Sequence, residues 1–283
     1  MSNQNLLLDN RTVVITGAAS GIGLELVKQA NLRQMNIVLS DINFDMLQEV
    51  KAQLKLVDSK TLLVKTDVSQ EADIANLCKL SYERFDSVQL LCNNAGVCLN
   101  RLSWEHTAAD WEWLIGVNLH SVAHAMRHFV PHMLKQSERS HIVNTASVAG
   151  LISTPGMAAY SASKHGVVTL SETLYYELQE LKSNIGVSVL CPAWVPTQIH
   201  QSQINRPERF GQHQDAKDEL SIEYEKNMAQ AVQSGRLTAT QIAEEVFKAV
   251  VKNQFYIIPH QRINPLIERR MQSILSLTNP EAL

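Results

Sequence analysis

The chain reads as an α/β protein built on a doubly wound parallel sheet, and three observations predict this. Short β-branched or apolar runs recur along it, at residues 12–16, 37–40, 61–65, 88–92, 141–145, 187–190 and 255–258. Between most of them lie stretches with apolar residues three and four apart, such as Ile22-Leu26-Val27 and Ile74-Leu77-Leu80, the spacing of a helix with one buried face. The runs themselves carry few charges, as strands covered on both sides do. Alternation of this kind predicts one sheet of about seven strands with helices on both faces.

Length and composition fit that picture. With 283 residues and 45% apolar content, the chain can bury one sizeable core, and it is expected to form a single domain over residues 1–283. Its 25 basic and 28 acidic residues leave a net charge of −3. They are well mixed, with no basic stripe for nucleic acid and no polybasic membrane anchor. Met1-Ser2-Asn3-Gln4-Asn5 lacks the basic and apolar regions of a signal peptide, and no apolar run approaches the ~18 residues of a membrane span. Cys78, Cys92, Cys98 and Cys191 form no Cys-x-x-Cys pair and read as buried or free thiols in a reducing compartment. Cytoplasm is the expected location.

Taken in order, the first strand leads into Thr16-Gly17-Ala18-Ala19-Ser20-Gly21-Ile22-Gly23. Glycines there let backbone approach a pyrophosphate, and the following helix start offers free N–H groups and a partial positive charge. Asp41 closes the second strand, 18 residues after Gly23. An acid at that place accepts hydrogen bonds from ribose hydroxyls and repels a 2′-phosphate. Neither Ser20 nor Ile42 is basic, so NAD is expected over NADP. Pro131 is expected to kink or end the helix that begins near Ala108. Tyr160 and Lys164 stand four apart, on one face of a helix. A lysine there is expected to lower the tyrosine's pKa, suiting it to general acid–base work.

Residues 198–236 break the rhythm. They are polar and Gln-rich, with scattered Ile199, Ile204, Phe210, Leu220, Ile222 and Met228, and they read as a lid over a substrate. Ile199, Ile204, Phe210 and Met228 are expected to form its apolar underside, with Leu151, Met157 and Trp194 opposite. Residues 263–277 read as a last amphipathic helix, and residues 280–283 as a frayed end. His120, His124, His128 and His132 recur every four residues. A straight helix turns ~40° past a full rotation at each such step, so the four cannot face one ion, and no metal is expected. Trp104, Trp111 and Trp113 read as core or interface.

In order, these motifs resemble the short-chain dehydrogenase/reductase family, over about residues 10–197. Thr16 to Gly23 looks like its cofactor loop, with Gly17, Ser20, Gly21, Ile22 and Gly23 as contacts. Asp67-Val68 looks like its adenine-contacting pair, and Asn93-Asn94-Ala95-Gly96 like the signature ending the fourth strand. Asn118 matches the active-site asparagine, Ser147 the serine, and Tyr160 and Lys164 the Tyr-x-x-x-Lys pair, 13 and 17 residues after that serine. The family's Pro-Gly-x-Val-x-Thr appears as Pro192-Ala193-Trp194-Val195-Pro196-Thr197. Alanine accepts fewer backbone conformations than glycine, so that turn is expected to be shifted; Pro192, Val195 and Thr197 remain candidate cofactor contacts.

The resemblance implies a Rossmann-type fold and hydride exchange between a secondary alcohol or ketone and a nicotinamide cofactor. Tyr160 would carry the proton, Lys164 would hold the nicotinamide ribose, Ser147 would bond the substrate oxygen, and Asn118 would hold a water leading to solvent. It also implies a homodimer or homotetramer, with the histidine-striped helix at the contact. An apolar alcohol or ketone is expected as substrate. A catalytically silent NAD-binding sensor or scaffold on the same fold is the alternative.

Overall fold

The structure, a computed structural model, describes residues 8–212 and 214–280. The expectations for the first five residues and for the last three lie outside the described residues.

Strands β1 (Thr12–Thr16), β2 (Asn36–Asp41), β3 (Thr61–Lys65), β4 (Leu90–Asn93), β5 (Ser140–Thr145), β6 (Ile185–Leu190) and β7 (Tyr256–Ile257) form one sheet in the order β3-β2-β1-β4-β5-β6-β7. Every pairing is parallel. Side chains alternate across a strand, and each strand therefore feeds two cores. Val13, Ile15, Ile37, Leu39, Leu90 and Cys92 face one cluster, whereas Val14, Val38 and Leu91 face the other.

Helices α1 (Gly21–Leu32) and α8 (Ala239–Lys252) cover the first cluster with Leu26, Val27, Ile242, Val246 and Phe247, joined by α2 (Phe44–Gln53) through Leu47 and Val50. The second is covered by α3 (Glu71–Phe85), α4 (Ala108–Ile115), α5 (Ser121–Met133) and α6 (Ala158–Glu180), through Ile74, Leu77, Trp113, Phe129 and Leu174. Each fully buried Leu, Ile or Phe contributes about 1.5–3 kcal/mol, and charges are absent from these faces because nothing there would solvate them.

The chain leaves β1 toward one face and β4 toward the other. A crevice consequently opens beyond the carboxyl ends of β1 and β4, where such sheets bind ligands. Pro131 does not end its helix; α5 runs on to Met133. The proline stands inside the helix and deprives the Arg127 carbonyl of its usual backbone donor. The interruption lies earlier, at a π-helical turn over Gly116–His120 that separates α4 from α5. Beyond β6 come two short 3₁₀ stretches (Ile199–Asn205 and Glu208–Phe210), then α7 (Glu219–Gln233). Helix α9 (Asn264–Ser276) follows β7 and buries no residue. No helix among the described residues is long and apolar enough to cross a membrane.

Candidate active site

The crevice is a continuous groove of about 520 Å³. One end is the glycine loop. Gly17 has φ of +65°, and a Cβ there would lie 2.9 Å from the Ala95 backbone; a Cβ on Gly23 would lie 1.9 Å from the Gly17 carbonyl oxygen. The loop is a cradle that only glycine leaves open. Thr16 braces it, its hydroxyl accepting from the Asn94 and Ala95 amides at 3.0 and 3.1 Å. The Asn94 side chain donates to the Thr16 carbonyl at 3.0 Å. Asn93 donates to Asn144 at 2.8 Å, and Asn144 to Ser171 at 2.9 Å. This amide chain locks β4 to β5 and α6.

Asp41 is held at the mouth of that cradle, where it accepts from the Ala19 and Asn43 amides at 3.1 and 3.0 Å. Burial raises its pKa, and the backbone amides oppose the rise. Asp67 accepts from Ser69 and pairs with the Arg209 guanidinium at 2.6 Å. Val68 lines the groove beside it.

At the other end, the first turns of α6 carry Tyr160 and Lys164 into the groove beside Ser147. Glycine at position 150 lets the turn after Ser147 pack on this helix, since a Cβ there would sit 2.6 Å from the Lys164 carbonyl oxygen. Ser147 accepts from the Ala149 amide at 3.1 Å. Lys164 donates to the Thr145 carbonyl at 2.8 Å. Burial pushes its pKa down to about 8.

The expected lowering of the Tyr160 pKa by Lys164 is not found. Burial raises it, reinforced by Cys98, while a hydrogen bond with Ser147 pulls the other way. The ammonium sits 5.7 Å from the ring centroid, itself desolvated, so helix spacing alone overstates its effect.

Asn118 lies in the π turn and is buried. Its side-chain oxygen accepts from the Val97 amide at 2.9 Å, and its NH₂ donates to the Val97 carbonyl and to Ser163 at 2.9 and 3.0 Å. These three bonds fix the side chain in place. It positions α4–α5 against Val97 and α6.

Of the other residues singled out from the sequence, Gly17, Ser20, Gly21, Ile22, Asn94, Ala95, Gly96, Pro192, Val195 and Thr197 line the groove, and Gly23 lies behind it. Ala193 has no left-handed backbone, so alanine fits its turn without strain; its amide donates to His260 at 3.1 Å.

The apolar end is formed by Cys98, Ala149, Met157, Tyr160, Met228, Val232 and Ile199, with Ile152, Trp194, Ile263 and Leu266 along the groove. Two of the expected apolar contacts are elsewhere. Phe210 packs on the α4 side of the core, and Leu151 on the cluster around Val122 and Val167. Ile204 lines the groove yet is 79% exposed. Leu266 reaches the groove from the last helix, and no local pattern marks it.

The segment 198–236 is pinned by charges. Arg206 donates to Asp110 at 2.6 Å and to the Phe210 carbonyl at 2.8 Å, and it stacks over Trp113. Arg101, 2% exposed, pairs with Glu225 of α7 at 3.1 Å. Burial works against the charge of Asp110, but the bonds from Arg206 and Thr107 hold its pKa below the usual range. Among the histidines, His128 contacts Glu71 at 3.2 Å and His132 stacks on Tyr82. Among the described residues no three potential ligands converge on a metal site, and all four cysteines are buried and free.

The family model for short chain dehydrogenases matches residues 11–208. The chain belongs to the short-chain dehydrogenase/reductase family. This short-chain dehydrogenase is 34% identical over 274 residues to the CLA biosynthesis dehydrogenase/reductase of Lactiplantibacillus plantarum, covering 96% of each chain. It is 33% identical over 199 residues to 3beta-hydroxysteroid dehydrogenase 2 of Eggerthella lenta, covering 70% of this chain and 76% of that one. Among solved structures, a short chain dehydrogenase/reductase from Burkholderia phymatum in complex with NAD superposes with a TM-score of 0.95 at 40% identity, covering 98% and 99% of the two chains. This dehydrogenase is thus an oxidoreductase on a nucleotide-binding Rossmann fold.

Proposed function

We propose that this dehydrogenase interconverts an apolar secondary alcohol and its ketone with NAD, using Tyr160 as the proton carrier. The observation that carries this reading is the convergence of Ser147, Tyr160 and Lys164 at the apolar end of a groove whose other end is the glycine cradle. The cradle fits a dinucleotide, because it leaves open the space that a Cβ would fill at Gly17 and sets helix N–H groups beside it. Asp41, bonded in place by two amides, would take the adenosine ribose hydroxyls and repel a 2′-phosphate. Bound NAD supplies the hydride acceptor, and reduced NAD the donor.

The chain's own residues manage the proton. Burial keeps the Tyr160 phenol protonated at neutral pH, ready to donate to a carbonyl oxygen in the reductive direction. Ser147 lines the groove with Tyr160, its hydroxyl donating to the Pro192 carbonyl at 3.4 Å. A substrate oxygen entering between them accepts from both hydroxyls, which stabilises the negative charge that develops on it. In oxidation Tyr160 takes the alcohol proton instead. Lys164 places a cation beside this exchange and keeps protons available for ribose hydroxyls. Met157, Met228, Val232, Ile199 and Cys98 surround the remaining space with apolar surface, which favours an apolar body over a small sugar. The similarity to a hydroxysteroid dehydrogenase supports that choice.

The test is a panel of secondary alcohols, from polyols to steroid, fatty and aromatic alcohols, mixed with protein and NAD or NADP. NADH should form with the apolar members. Formation only from polyols would overturn the substrate class, and no turnover with any alcohol or ketone would overturn the reaction.

A further inference from the structure

The segment 204–209 crosses the cofactor groove at its adenosine half rather than at the substrate end. Ile204, Asn205 and Pro207 line the groove across from Ile42, Asn43, Asp67 and Val68. The same three residues also wall a smaller crevice against Phe44, Asp45 and Lys65 on the outer side of β2 and β3. Just beyond them, Arg209 reaches the loop after β3. Its guanidinium pairs with Asp67 at 2.6 Å and donates to the Ser69 hydroxyl at 2.5 Å. With its amide oxygen turned inward, Gln70 accepts from it at 3.1 and 3.2 Å. Its other face lies 4.5 Å from the Phe210 ring centroid. A planar fork with three polar partners and an aromatic neighbour is fixed in a way that a surface lysine is not.

The segment is anchored behind as well. Arg206 is 4% exposed in its pairing with Asp110. Toward the substrate end, Ser202 accepts from the Cys98 amide at 3.1 Å and donates to the Ile199 carbonyl at 2.5 Å. One short stretch of chain therefore touches the substrate pocket at Ile199 and closes over the adenosine site at Arg209.

We propose that residues 204–209 are a cofactor strap, with Arg209 a further cofactor-site residue that latches it to Asp67. A dinucleotide can leave the groove only when the latch opens. Asp67 thus has two partners, the adenine end of the cofactor and the strap, and its pairing with Arg209 couples cofactor retention to placement of the substrate wall. Cofactor release is thereby slowed by the ion pair. The proposal rests on the NAD reading above.

The test is the rate at which bound NADH leaves, followed by fluorescence after chasing with excess NAD, in low and high salt. Breaking a charge-assisted, partly buried pair should speed release about tenfold in Arg209→Met. Wild-type release should quicken with salt, because the pair is partly exposed, and the variant should lose most of that dependence. Arg209→Lys, which keeps charge without the fork, should fall between. The exposed pair Lys248–Glu245 supplies a control, and Lys248→Met should release NADH at the wild-type rate. Equal release from wild type and Arg209→Met overturns the strap. If Arg209→Met fails to fold, the other two proteins decide, and release that ignores salt in wild type or equals it in Arg209→Lys overturns the strap. NADH that does not bind wild-type protein overturns the NAD reading and the strap together.

Discussion

The Lys164 ammonium lies 5.7 Å from the centroid of the Tyr160 ring and donates to the Thr145 carbonyl at 2.8 Å. Both residues are buried, at 2% and 6% exposure. Burial disfavours the charged form of each, so the phenol keeps its proton while the ammonium is poised to lose its own near pH 8. The pair is set up to donate from oxygen and to hold a cation beside it in neutral solution.

Tyr160→Phe should bind NADH nearly as wild type does, because the ring still fills its place, while turnover falls by ~10²–10⁴-fold. Steady-state rates and a fluorescence titration check the two halves. A variant within a few-fold of wild type would exclude Tyr160 as the proton carrier.

The pH dependence of ketone reduction follows from Lys164. Its folded pKa is depressed to about 8, so its positive charge is complete below that pH and is lost as pH rises through it. Reduction at saturating substrate should hold steady below and decline above about pH 8. A profile that keeps rising through this range would show that the charge is not needed.

Asp41→Ala should narrow the preference for NAD over NADP, chiefly by improving NADP. A carboxylate facing a phosphate dianion costs several kcal/mol, so the ratio of kcat/KM values should shift by roughly 10²-fold. Wild-type protein that uses both cofactors equally well would place Asp41 away from the ribose.

His141 is buried, with a ring nitrogen 2.7 Å from the Ser188 hydroxyl, and burial depresses its pKa from 6.5 to about 3. Between those values the unfolded chain binds the proton and the folded chain does not, so stability falls as pH drops from 6.5 toward 3. His141→Gln should flatten this loss while lowering stability at pH 7. Thermal unfolding across pH 4–7 measures both; equal slopes would assign acid sensitivity to other groups.

Arg206→Met should take from buried Asp110 its nearest cation, leaving only the Arg101 guanidinium at 3.9 Å. Losing one partner of such a pair costs about 3–5 kcal/mol, on the order of 10 °C in Tm for a chain of this size. Asp110→Asn in the same chain should recover part of it. A loss of only a degree or two would mean that the segment 198–236 is not held there.

Much of this molecule was legible in its residues. The strands at Thr12–Thr16 and Thr61–Lys65 stand where the β-branched and apolar runs put them, because strand and helix periods are local properties of the chain. The glycine cradle and the Tyr160–Lys164 helix turn were legible for the same reason: a close backbone approach demands glycine at fixed spacing, and a helix brings residues four apart onto one face. Tertiary structure alone decided what those side chains experience. Phe210 went to the core instead of the expected underside of the segment 198–236, and Leu266 arrived at the groove from the last helix. Arg206 and Arg209 found Asp110 and Asp67 across long loops. Burial overrode the neighbouring charge at Tyr160. Desolvation and ion pairing depend on which distant segments meet, and residue spacing carries no record of that.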